Sequence, residues 1–162
     1  MSSESALNAT PLSTATYTEK LWPNIWAWVI VLGLSSAGIL ILIPISPLAG
    51  YLAFAGLLVL QTVLLVLSTP KIEVTATTLQ VGRAVIERRY IGEVTAYRGE
   101  DATAQRGTKL NGLAYLCIRG WINPVVKIEI TDPNDATPYW LASSRNPEHL
   151  AAALGANPDR AN

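Results

Sequence analysis

The chain has 162 residues, half of them hydrophobic, and its 12 Lys and Arg balance 12 Asp and Glu. A net charge of zero excludes the field that draws a protein to nucleic acid or to strongly acidic partners. One cysteine and one histidine exclude an intramolecular disulfide and any zinc site built on Cys/His spacing.

Residues 1–20 are rich in Ser, Thr and Ala with little to bury, which predicts a mobile tail. From Leu21 to Pro70 the chain then contains no Asp, Glu, Lys, Arg or His. A soluble helix or strand turns a polar face to water, and a charge-free run of this length has none to turn. Crossing the bilayer core takes roughly 20 apolar residues at about 1.5 Å each. The run holds two such lengths, one on each side of Pro44-Ile45-Ser46-Pro47. The reading is a transmembrane helical hairpin within residues 21–70, with spans at about 23–43 and 48–67. The competing reading is a helical hairpin buried inside a soluble protein. A secretory signal peptide is not expected, because the apolar run starts late and is too long for an h-region.

Pro23 suits the first turn of a helix, where its missing N–H is not needed. Trp22, Trp26 and Trp28 fall where indoles lie at a membrane interface. Gly33, Ala37 and Gly38, with Ala49, Ala53 and Gly56, let two helices approach closely; packing within the hairpin is the plainer use, a dimerisation face the other. The spans hold no ionisable group, so a proton relay or ion pathway has no residues to use. Lys20 precedes the first span and Lys71, Arg83, Arg88 and Arg89 follow the second, which predicts that both termini are cytoplasmic.

From Lys71 the pattern changes to period two. Ile72, Val74 and Ala76 alternate with Glu73 and Thr75, and Leu79 and Val81 lead through Gly82-Arg83 to Ala84 and Ile86. Further strands are expected at 92–98, 113–119, 125–131 and 138–143, an antiparallel meander by their brevity and β-branching. Residues 99–112 are polar and carry three glycines, so an exposed loop is expected there. Asn146 is expected to cap a short helix with Pro147 at its first position, running to Leu154 and stopped by Gly155. Residues 156–162 should fray. About seven strands and one helix within 71–155 resemble a pleckstrin-homology-like barrel, in which a terminal helix closes one end of a bent sheet. The junction 143–150 looks like the strand-to-helix junction of bacterial members. The expected fold is therefore an α+β membrane protein: an N-terminal two-helix transmembrane hairpin, then a small antiparallel β-barrel or bent sheet with a C-terminal helix.

Five segments taken in order carry a closer likeness: Tyr17-Thr-Glu-Lys-Leu-Trp22, Leu79-Gln-Val-Gly-Arg-Ala84, Tyr90-Ile-Gly-Glu-Val94, residues 132–141 and residues 143–150. Together they resemble a family of small actinobacterial membrane proteins known as a domain of unknown function. That resemblance implies two adjacent spans followed by a β-rich domain in a bacterial plasma membrane, and it brings no activity. Family members tend to have proline where this chain has Ala136, and more arginine where it has Ser144 and Asn146.

The chemistry needed by an enzyme is sparse. His149 is expected in the first turn of the terminal helix, and Cys117 shares a strand face with Tyr115, as a structural thiol does. The sequence has no Gly-x-Ser-x-Gly, no His-Glu-x-x-His and no phosphate loop ending in Lys-Ser/Thr. Neither catalysis nor a cofactor is expected. Three roles remain. The first is a non-catalytic, membrane-anchored binding or scaffold module that meets a protein partner through Trp121 or Trp140, whose other use is core packing. The second is recognition of anionic lipid headgroups by Lys71, Arg83, Arg88 and Arg89, whose other use is a solvated face. The third is an accessory subunit that contacts a larger membrane complex through its spans.

Overall fold

The computed structural model describes residues 15–155. Strand β1 (Tyr17–Lys20) leads into helices α1 (Ile25–Leu42) and α2 (Pro47–Leu67), and strand β2 (Lys71–Val74) follows at once. β1 and β2 pair antiparallel, with Tyr17 opposite Val74 and Lys20 opposite Lys71. The helical hairpin is thus an insertion at the tip of a β-hairpin. This corrects the reading of residues 17–20 as tail: they form an edge strand whose partner lies beyond both helices, so no local pattern announces it. The tails expected elsewhere lie outside the described residues, at 1–14 and 156–162.

Both helices are long and apolar enough to cross a membrane, and their bounds fall within two residues of those expected. The side chain of Asn24 caps α1, accepting from the N–H of Ala27 at 3.1 Å. Pro23 therefore precedes the cap instead of occupying the first turn. Only 17% of the most apolar stretch of α1 and 6% of that of α2 are buried, so the hairpin stands out from the rest of the fold. It is not the enclosed core of the competing reading. The two helices meet at their small residues: a Cβ added to Gly38 would lie 3.2 Å from Leu57 Cδ1 and 3.3 Å from the Cβ of Ala53. Gly33 and Gly56 face open space. The hydroxyls of Ser35 and Ser36 donate to the carbonyls of Val31 and Leu32 at 2.7 and 2.8 Å, so neither needs a partner outside its helix.

The remaining chain forms two sheets. One has the order β1-β2-β3-β4, with β3 (Thr78–Val81) and β4 (Ala84–Glu87) joined by Gly82, whose φ of 62° requires glycine. The other has the order β5-β7-β8-β6, from β5 (Ile91–Tyr97), β6 (Tyr115–Cys117), β7 (Val125–Ile130) and β8 (Tyr139–Ser143). These are two open sheets, not a closed barrel, and the meander is interrupted because β6 lies parallel to β8. Their inner faces share one core: Ile72, Leu79 and Val81 from the first sheet, Ile128, Trp140 and Ala142 from the second. Leu21, immediately after β1, is fully buried in the same core and fixes where the hairpin leaves the domain.

Residues 99–112, expected as an exposed loop, begin with helix α3 (Gly99–Arg106). Its composition is polar, but Ala102 is fully buried against Val125, Tyr139 and Leu141 on the outer face of the second sheet. Every residue of β8 is buried as a result. Helix α4 (Pro147–Ala153) begins at Pro147 as expected, closes the main core with Leu150, and is followed by Gly155 at φ 87°. Asn146 makes no side-chain cap; its N–H donates to Ser144 Oγ at 3.1 Å instead.

Candidate functional site

Alternation along β1 turns Tyr17 and Glu19 inward and Thr18 and Lys20 outward. Glu19 is 8% exposed, and its carboxylate accepts from Ser144 Oγ at 2.6 Å, the N–H of Arg145 at 2.7 Å and the Tyr17 hydroxyl at 2.8 Å. A buried carboxylate is tolerated only when donors surround it in this way. Burial, then the bond to Glu19, pushes the Tyr17 phenol up to about 12. Arg145 extends the junction, donating to the carbonyls of Trp22 at 2.5 Å and Lys20 at 3.5 Å. On the other side Arg119 donates at 2.7 Å to the carbonyl of Ser68, the C-cap of α2. Unpaired carbonyls and the helix dipole both favour a cation at that end. The base of the hairpin is thereby tied to the domain at both helices. Nothing in the sequence assigned a role to Glu19, Arg119 or Arg145; the only signal was that Glu19 and Arg145 lie within the 17–22 and 143–150 segments of the family likeness.

The four cations proposed from sequence do not form one patch. Lys71 opens β2 beside the hairpin, and Arg83 lies in the β3–β4 turn at the same end, where the N–H of Gly82 donates to the carbonyl of Lys71 at 2.8 Å. β4 then runs away from the hairpin and delivers Arg88 and Arg89 to the opposite end. At about 3.3 Å per residue that is about 13 Å. Arg88 is engaged there, donating to the carbonyls of Ala153 at 2.9 Å and Thr75 at 3.4 Å. Arg89 pairs with Glu87 at 2.9 Å, and Lys71 pairs with Glu73.

The two tryptophans also part company. Trp140 is 5% exposed in the main core, its ring centroid 5.2 Å from that of Tyr115, so it offers no surface. Trp121 is half-buried against the same core. A groove of about 330 Å³ opens on the outer face of the second sheet, on the part that α3 leaves uncovered. Glu93, Thr95 and Tyr97 of β5 line it with Lys127 and Glu129 of β7 and Tyr139 of β8. The Lys127 ammonium lies 4.6 Å from the centre of the Tyr139 ring. Glu129 accepts from the N–H of Glu93 at 3.1 Å, at the register shift between Ile91 and Val94. A Cβ on Gly92 would lie 2.8 Å from that carboxylate, so glycine gives Glu129 its place. The groove offers both signs of charge and two phenols, which suits a polar chain segment. Cys117 is far from use as a nucleophile: it is buried, and burial pushes its thiol up.

These features define a class: a β domain of two open sheets carrying an exposed apolar helical hairpin on its first β-turn. The chain belongs to the family described as Protein of unknown function (DUF3093), whose match covers residues 16–154, from just before β1 to the end of α4. The comparisons with curated proteins and with solved structures returned no match.

Proposed function

We propose that this chain is a membrane-anchored, non-catalytic binding module of a bacterial plasma membrane. Its two helices span the bilayer and both termini with the β domain are cytoplasmic. The observation that carries the reading is the exposed apolar hairpin, bound at both its ends to the domain through Arg145 and Arg119. Apolar helices exposed along their length are stable in lipid and aggregate in water. The cations Lys20, Lys71 and Arg83 at the hairpin end and the exposed Trp22 and Trp26 beside it fit a cytoplasmic interface. A terminal helix packed over two facing sheets is in keeping with a pleckstrin-homology-like adaptor.

Alkaline extraction of membranes tests the anchor. The full chain is expected to stay with the membranes, and its release would overturn the reading. A mild-detergent pull-down of the tagged full chain then locates the partner surface. A partner lost on Glu93→Lys with Lys127→Glu binds the groove and makes the domain an adaptor. A partner kept by that variant and lost on Gly33→Leu with Gly56→Leu makes the chain a subunit held by its helices, because both glycines face open space.

A further inference from the structure

We infer that the cations gathered at the hairpin end, Lys20, Lys71, Arg83, Arg119 and Arg145, form a surface for the anionic headgroups of lipids; this rests on the membrane anchor proposed above. The five come from β1, β2, the β3–β4 turn, the segment after β6 and the β8–α4 junction, and only folding brings them together. Hydrogen bonds fix the arrangement. Arg145 is held by the carbonyl of Trp22, Arg119 by that of Ser68, and the turn bearing Arg83 by the Gly82–Lys71 bond.

Lys20 and Lys71 form the last pair of the β1–β2 ladder, and both are exposed on its outer face. Like charges directly opposite each other destabilise a ladder. An anionic layer beside them reverses that term. Two carboxylates lie within the cluster, Glu73 pairing with Lys71 and Glu19 turned inward onto Ser144 and the Arg145 N–H, so the cations stay in excess; Glu148 is held by Arg98. At the far end stand Glu87, Asp132 and Asp135 together with Arg88 and Arg89, and Glu87 pairs with Arg89. Among these groups the cations are in excess at the hairpin end, five against Glu19 and Glu73. Arg88 and Arg89 lie more than a Debye length, about 8–10 Å, from that end and add little to such a surface.

The test reconstitutes the full chain in mixed phosphatidylcholine and phosphatidylglycerol vesicles and measures, by spin-label resonance, which labelled lipid is immobilised on the protein. The expected result is enrichment of phosphatidylglycerol that weakens as salt is raised. Lys20→Gln with Arg83→Gln should lower the enrichment by about half or more. Arg88→Gln with Arg89→Gln removes the same charge at the far end and should leave it as in the native chain. Absence of enrichment, or equal enrichment in all three proteins, would overturn the surface. An equal loss in both variants would also overturn it, by assigning the effect to net charge. A chain that fails to float with the vesicles after an alkaline wash refutes the anchor instead, so the two failures are told apart.

Discussion

The carboxylate of Glu19 and the hydroxyl of Ser144, 125 residues apart, meet at 2.6 Å in the interior. That contact joins the strand before the hairpin to the strand-to-helix junction at the other end of the chain. Removing the carboxylate strands three donors at once: the Ser144 hydroxyl, the Arg145 N–H and the Tyr17 phenol. Glu19→Ala should therefore lower stability by about 2–4 kcal/mol, and Ser144→Ala by about 1 kcal/mol. Thermal unfolding in detergent measures both. Equal melting of Glu19→Ala and the native chain would show that the contact holds nothing together.

The Tyr17 phenol gives the junction an alkaline limit. Its pKa is pushed from 10.0 to about 12, first by burial and then by the bond to Glu19. The folded state thus holds this proton more tightly than the unfolded state does. Its contribution is complete below pH about 10 and is lost as pH rises toward about 12. The Tyr17 phenol should resist ionisation in an ultraviolet titration, and Glu19→Ala should lower the pH at which it ionises.

The Arg98–Glu148 pair sets an acid limit of smaller size. Two hydrogen bonds from Arg98, at 2.5 and 2.6 Å, hold the Glu148 carboxyl down at about 2 against an ordinary 4.5. The contribution is present above pH about 4.5 and lost as pH falls toward about 2. Both side chains are about half exposed, so screening limits it to about 0.2–1 kcal/mol. Arg98→Gln should return the Glu148 titration, followed by carbon NMR, toward the ordinary carboxylate range.

Gly38 sets how closely the two helices pack. A leucine there meets Leu57, Ala53 and the Ala53 backbone within 3.4 Å of its first carbon. Gly38→Leu should cost about 1–3 kcal/mol through helix separation. Gly33→Leu and Gly56→Leu enter open space and should melt as the native chain does.

Cys117 reports on the main core. It is 6% exposed beside Trp140, and burial disfavours its thiolate. Maleimide should leave it unmodified in the folded protein and label it fully after denaturation. Rapid labelling of the native chain would contradict the packing of β6 against β8.

The hairpin was legible in the sequence because length and apolarity are local properties: a run without charge from Leu21 to Pro70 needs no knowledge of the fold around it. The strands β2 to β4 were legible for the same reason, their alternation and the Gly82 turn being written within a few residues. Family membership followed from short segments whose order survives in the chain. Other features had no local signature. β1 pairs with a strand beyond both helices, and β6 joins β8 in parallel, where only distance in sequence separates it from the expected meander. Helix α3 is polar by composition, and Ala102 and Gln105 are its buried residues, Ala102 lying against Val125 and Leu141.

The candidate site divides in the same way. The sequence by itself determined that basic residues flank the apolar run. Proximity in the chain then grouped Arg88 and Arg89 with Lys71 and Arg83, but β4 carries the first two one strand length away. The tertiary structure alone placed Arg119 and Arg145 beside the helices, buried Trp140, and brought Glu19 to Ser144. Hydropathy accumulates along a chain and can be read there, whereas the meeting of a carboxylate with its donors depends on loops closed over a hundred residues. Only the folded core fixes those distances.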